Sequence, residues 1–229
     1  MLQLVGELTA FGMVLGFSPL HLGLLLLLLL GTEARSRGTW FVLGWVVTTA
    51  TAIALMLSVG HRLVVTMEMG SAHRTGLDLV VAGALLGIGL KELLNPAEAE
   101  LPPGWIARLE RFSAMPVALL LLTSTALELA SPDELLLLAK TAGLVLAANL
   151  KPIDEVSAVL LFSLISSLFL LVPLLGVLFV GESLATTGLK SARDLLYTKG
   201  QRLVGIASLA IAIYLGWQGI AGLQVGLTS

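Results

Sequence analysis

Residues 16–30 read GFSPLHLGLLLLLLL, and their reading decides the fold. A leucine run of this kind is a membrane helix, yet Ser18-Pro19 stands inside it and His21 follows within a turn. Proline has no N–H to donate, and its ring collides with the carbonyl one turn earlier, so a helix must open there. In hydrocarbon the freed backbone groups are costly unless protein, water or a hydroxyl satisfies them. The stretch is therefore either a kink in an anchor or the working part of a carrier.

Composition identifies the solvent. Of 229 residues 57% are hydrophobic and only 12% are charged, and mean hydropathy is +0.98. A soluble domain with so little charge would lack a solvated face. The chain reads as an all-α integral membrane protein, a single transmembrane domain over 1–229, bathed in membrane lipids. At ~20 residues per span there is room for six transmembrane helices. The net charge of −2 and the lack of a basic stripe speak against nucleic acid. With no cysteine, thiol relays, disulfides and Cys-ligated metals are excluded. Met1-Leu2-Gln3-Leu4 lacks the positive region of a signal peptide, so the first apolar segment is expected to stay as a span.

The expected spans cover about 4–31, 40–60, 76–94, 116–150, 156–180 and 203–222. In the third, only 79–90 is uncharged, so Asp78 or Lys91-Glu92 should sit near the membrane edge. Asp78 is expected at a helix start and Glu7 at the interface. The stretch 116–150 is one span broken at Ser131-Pro132, or two shorter ones. In the connection 95–115, Trp105, Ile106, Leu109 and Phe112 share one helical face, with Arg108, Glu110 and Arg111 opposite. That pattern suits a short interfacial helix or a loop with one amphipathic turn. The charged stretch 181–202, with Lys190 and Arg193, is a second interfacial candidate. Leu171-Val172-Pro173 offers a further kink with no assigned role.

Nine Lys and Arg residues fall in the odd loops: Arg35, Arg37, Lys91, Arg108, Arg111, Lys190, Arg193, Lys199 and Arg202. Four fall elsewhere, at Arg62, Arg74, Lys151 and the membrane-level Lys140. The positive-inside rule then makes the odd loops cytoplasmic and both termini exoplasmic, in a bacterial inner or thylakoid-type membrane.

Ser18-Pro19 has a partner. Ser131-Pro132 lies 113 residues on, and each break is followed by two further spans. Three spans per unit invert the second unit relative to the first, the plan of many secondary transporters. Repeat 1 is then 1–94 and repeat 2 is 116–229, with 95–115 between them. Two breaks at equivalent depth would gather helix ends around one central cavity.

Ionisable residues cluster where that plan places them. His21 and Glu134 occupy equivalent positions, Asp133 adjoins Glu134, Glu128 precedes the break by one turn and Lys140 follows by two. Such groups inside spans are rare and usually face an interior or a water-filled path. Carboxylates beside a histidine, which titrates near neutral pH, can carry protons or bind a cation. The candidate pathway is Ser18, Pro19, His21, Glu128, Ser131, Pro132, Asp133, Glu134 and Lys140. Each has a plainer reading: a structural kink, a hydrogen-bonded interior histidine, acids at the surface end of a span, and a snorkelling lysine.

Three further stretches carry a resemblance. They are GFSPLHLGLLLLLLLGTEARSRGTWFVLGWVV, LPPGWIARLERFSAMPVALLLL, and VPLLGVLFVGESLATTGLKSARDLLYTKGQRLVGIASLAIAIYLGWQGI. In order and spacing they resemble the LysE superfamily of small transporters, and within it the GAP or Sap group of glycolipid- and sulfolipid-addressing proteins. The resemblance implies a six-span inverted repeat that moves glycolipids or exports small solutes. The family's fourth span usually has an Asn-Pro-Lys-like break, whereas here Ser131-Pro132-Asp133 puts acid for lysine.

The leading expectation is a secondary exporter or transport accessory for a glycolipid, another amphiphile or a small solute, coupled to protons through His21 and Asp133-Glu134. The alternative is a non-transporting subunit of a larger membrane complex, or a homo-oligomer, docked through Trp105–Phe112 and Leu189–Arg202. No enzyme and no cofactor is expected: the sequence has no ATP-binding loop, metal motif or nucleophile–base constellation.

Overall fold

A computed structural model of the protein describes residues 2–63, 67, 71–94, 112 and 115–228, which form helices joined by short turns. Helices α1 (Leu2–Gly16) and α2 (Pro19–Leu30) are halves of one pair, bent by 61° at Phe17-Ser18. Pro19 opens α2 at the first helical position, where a missing N–H costs nothing. Ser18 before it is extended, with φ −93° and ψ 109°, as a residue preceding proline prefers.

α3 (Ala34–Arg62) and α4 (Ala72–Leu94) follow. The stretch 116–150 then repeats the opening device. α5 (Val117–Ala130) ends at Ser131, and α6 begins with Pro132 and runs to Ala147. Ser131 has φ −90° and ψ 108°, within a few degrees of Ser18. α7 (Pro152–Leu175) continues into a π-helical turn at Gly176–Val180. Pro173 lies inside α7 just ahead of that turn, so the third proline expected to kink a span is followed by a local widening of the helix.

The last helix, α8, runs from Glu182 to Thr228. At 47 residues it is roughly 70 Å long, far beyond a hydrocarbon core of ~30 Å. The charged stretch 181–202, expected as a connection before the last span, is thus the first half of that same helix. Gly181 turns the chain at φ 91°, and no proline interrupts it afterwards.

Among the described residues, three segments are long and apolar enough to cross a membrane: Ala34–Arg62, Pro152–Val180 and Thr198–Gly226. The bent α1–α2 pair makes a fourth if it counts as one span. The chain is therefore an all-helical membrane protein with three to four candidate spans. The difference from six lies in α4 and the α5–α6 pair. Asp78 and Lys91-Glu92 stand in the former, and Glu128, Asp133, Glu134 and Lys140 in the latter. These charges lower apolarity there, and several are paired inside the bundle.

Packing follows a reciprocal pattern. α1 lies on α7 and α5 on α3, α2 lies on α8 and α6 on α4, and α3 meets α7 as α4 meets α8. Two glycines permit the closest approaches. A Cβ at Gly16 would overlap the backbone of Ser166 in α7, and one at Gly44 would come 2.8 Å from the Leu121 carbonyl in α5. Small residues allow such contact where lipid offers helices no hydrophobic drive to associate.

One expectation about charge is corrected by this packing. Asp78 is not at a helix start but more than a turn inside α4 and buried, because Lys140 of α6 reaches it. Glu7, expected at the interface, packs against α8. It is buried in α1 and accepts hydrogen bonds from Tyr214 Oη at 2.7 Å and Gln218 Nε2 at 3.2 Å.

Candidate functional site

The two breaks face each other at the centre of the bundle. His21 stands in the first turn of α2 and Glu134 in the first turn of α6, because each follows its proline by two residues. Imidazole Nδ1 lies 3.5 Å from Glu134 Oε1, with both side chains withdrawn from the surface. Ser18 Oγ is 2.9 Å from the same nitrogen. On the other side of the ring, Nε2 is 3.5 Å from the Ser124 carbonyl of α5.

These contacts give the imidazole two arrangements. With Nε2–H donating to the Ser124 carbonyl, Nδ1 accepts from the Ser18 hydroxyl. With a proton on Nδ1, the ring turns a donor toward Glu134. A proton thus has a seat between the two breaks.

α3 supplies the wall. Trp45 packs edge-on against His21 with ring centres 4.4 Å apart, and Phe41 lies at 6.1 Å. Thr49, one turn beyond Trp45, donates to Glu128 Oε1 at 2.6 Å. Glu128 is wholly buried at the last turn of α5. Among the described residues, Trp45 Nε1, Ser124 Oγ, Glu128 Oε2 and Glu134 Oε2 are buried without a hydrogen-bond partner. Unpaired buried polar atoms are costly, so four around one histidine mark a site rather than a filler core.

Beside the pair is a cavity of about 50 Å³, lined by Ser18, Pro19, Asp133, Glu134, Leu137 and Ser208 among others. That volume admits water, which needs ~10–15 Å³ and polar partners. No group of three or more His, Asp or Glu among the described residues is set to hold a metal ion.

Of the residues picked out in the sequence, Ser18, Pro19, His21, Pro132, Asp133 and Glu134 meet at the breaks, and Glu128 stands next to them. Ser131 bonds within its own segment: its N–H donates to the Glu128 carbonyl, which Pro132 cannot serve, at 3.4 Å, and its Oγ donates to the Leu127 carbonyl at 2.9 Å. Lys140 belongs to a separate centre as the buried partner of Asp78. Lys190 is exposed and Arg193 pairs with Asp194 at 3.0 Å. The interfacial candidates Trp105, Arg108 and Arg111 lie outside the described residues.

Sequence reasoning passed over Trp45, Thr49 and Ser124 and gave Asp78 only a place at a helix start. Those three are uncharged and sit in ordinary-looking spans. A signal existed in the spacing of Phe41, Trp45, Thr48 and Thr49, which puts two hydroxyls and an indole on one face of an otherwise apolar helix.

A family model described as Sap, sulfolipid-1-addressing protein, matches residues 8–221. No curated protein and no solved structure matches the chain. The matched region takes in both breaks and the whole of the site around them. The chain belongs to the Sap, sulfolipid-1-addressing protein, family.

Proposed function

We propose that the protein is a secondary exporter of LysE-superfamily type that moves an amphiphile across or out of a bacterial inner or thylakoid-type membrane. Its two halves are inverted three-span repeats, and it works by alternating access around the Ser18-Pro19 and Ser131-Pro132 breaks. Protons couple the cycle through His21 and Glu134, with Glu128 as a second carboxylate in reach of the same space. The odd loops are cytoplasmic and both termini exoplasmic.

The observation that carries this reading is the meeting of His21 with Glu134, two ionisable residues at equivalent positions of the two units. The reciprocal helix packing and the matching backbone of Ser18 and Ser131 support the inverted plan. The family's description supports a lipidic cargo.

The experiment is a dithionite-protection assay in proteoliposomes holding the full chain and an NBD-labelled glucosyl diacylglycerol. Under an imposed pH gradient the label should move between leaflets faster than in protein-free vesicles, and collapsing the gradient should remove the difference. Equal rates in both vesicle types would reject transport.

A further inference from the structure

Pro19 leaves more than a bend at the first break. In an unbroken helix the Leu15 carbonyl would accept from the N–H of residue 19, and proline has none to give. Leu15 lines the cavity of about 50 Å³ beside the His21–Glu134 pair. Ser18, Asp133, Glu134 and Ser208 line it too, and among the described residues no lysine or arginine does. Oxygens thus converge from α1, the break, α6 and α8 on one small space.

One of them is a buried carboxylate oxygen with nothing to bind. Glu134 is 5% exposed, with Oε1 at 3.5 Å from His21 Nδ1, and its Oε2 has no hydrogen-bond partner among the described residues. A buried charge without a partner is costly, so this oxygen calls for a positive one. Ser18 Oγ, 2.9 Å from His21 Nδ1, can donate to that nitrogen and still turn a lone pair to the cavity. Ser208 is 4% exposed and meets the same space from α8.

Size and charge select the ligand. About 50 Å³ holds a small ion with a water beside it, and excludes an organic cation or a lipid head. Hard cations take oxygen ligands, and divalent ones are commonly held by several carboxylates. Here two carboxylates line the space, and one of them is also engaged by His21. No group of three or more His, Asp or Glu among the described residues is set to hold a metal ion, which speaks for a single positive charge. Carbonyls freed where a membrane helix is broken are suited to coordinate Na⁺.

We propose that Na⁺ binds between the two breaks, ligated by Glu134, Asp133, Ser18, Ser208 and the Leu15 carbonyl, and that Na⁺ and the coupling proton displace one another. The inference rests on the proton reading of His21 and Glu134 and adds the ion that shares their site. With Nδ1 accepting from Ser18, the ring is neutral and Glu134 keeps its charge for the ion. With a proton on Nδ1, the ring answers that charge and repels a second cation.

The surrounding charges are engaged elsewhere or favour the ion. α6 packs against α1, α3, α4 and α5. Glu7 of α1 is held by Tyr214 and Gln218, and Asp78 of α4 by Lys140. Glu128 of α5 accepts from Thr49 and adds negative charge nearby. The remaining charges of α3 and α4 stand near their helix ends, and Lys199 and Arg202 of α8 are exposed.

The test is equilibrium binding of radiolabelled Na⁺ to the detergent-solubilised full chain, with choline holding the ionic strength constant. At about pH 8 binding should saturate, and unlabelled Na⁺ but not choline should displace it. At about pH 5 it should fall at least about tenfold, because protons then occupy His21 and Glu134. Asp133→Asn should weaken binding about tenfold or more. Ser208→Ala, which leaves the His21–Glu134 contact in place, should weaken it about fivefold.

No saturable binding in the parent would overturn the proposal, as would displacement by choline at the strength of Na⁺. Binding unchanged by both substitutions would put the ion elsewhere and overturn the site. Equal binding at about pH 5 and about pH 8 would overturn the exchange with protons. Neither lipid nor gradient enters this measurement. Na⁺ bound by a protein that moves no NBD-lipid would therefore reject transport alone, and gradient-driven movement without Na⁺ binding would reject this site alone.

Discussion

His21 and Glu134 are 113 residues apart in sequence and 3.5 Å apart in space, and each is the second residue after the proline of its own helix break. The pair is buried, with His21 0% and Glu134 5% exposed, so removing one partner leaves the other poorly compensated. Breaking one side of a buried pair costs about 3–5 kcal/mol because an uncompensated polar group remains. His21→Phe, which keeps a ring against Trp45, should lower the thermal midpoint of the detergent-solubilised protein clearly. Adding Glu134→Leu should recover part of that loss, as coupled neighbours do. Simple addition of the two losses would show that the contact is not energetically real.

The Asp78–Lys140 pair allows the same logic at a second centre, between α4 and α6. Lys140→Met and Asp78→Leu should each destabilise by about 3–5 kcal/mol, and the double substitution should lie close to the parent. Thermal unfolding of the four proteins checks this. Because Lys140 serves Asp78 and not the His21 cluster, the double variant should also keep its lipid movement. A double variant as unstable as either single one would contradict the pairing.

Gly16 sets how closely α1 approaches α7 at the first break. Gly16→Leu must displace the Ser166 backbone, an overpacking change that costs ~1–3 kcal/mol and shifts Ser18 with it. Cysteine cross-linking between α1 and α7 in an otherwise cysteine-free chain should report a widened gap. Unchanged cross-linking would mean that the helices tolerate a side chain there.

His61 and Glu155 form a contrasting contact at 3.0 Å, joining the end of α3 to the start of α7. His61 is more than half exposed, and such pairs are worth ~0–1 kcal/mol and are screened by salt. Glu155→Gln should therefore move the thermal midpoint little, and less at high salt. A loss comparable with that of His21→Phe would show the end of the bundle to be a structural clamp.

What could be read in the sequence follows from period and punctuation. Ser18-Pro19 and Ser131-Pro132 announced themselves because proline forces an opening wherever it falls inside a helix. The equivalence of His21 and Glu134 followed from counting, and the structure brings the two together. The Asp78–Lys140 pair was not legible, because nothing local says which of several membrane-level charges will meet across 62 residues. α8 was misjudged for a similar reason. Charges at 190–202 resemble a surface loop, yet the apolar stripe on their opposite face packs against α2 and holds the helix together. The wall of Trp45 and Thr49 depends on how α3 rotates, which only packing decides.

The account turns on Glu134 as the carboxylate that shares a proton with His21. Its most direct test is pH-gradient-driven movement of the NBD-labelled glucosyl lipid by the Glu134→Ala protein, beside the parent, in the same proteoliposomes. The account predicts that the variant binds the lipid but no longer responds to the gradient, moving it at the parent's rate without a gradient or slower. Gradient-driven movement equal to the parent's would contradict it.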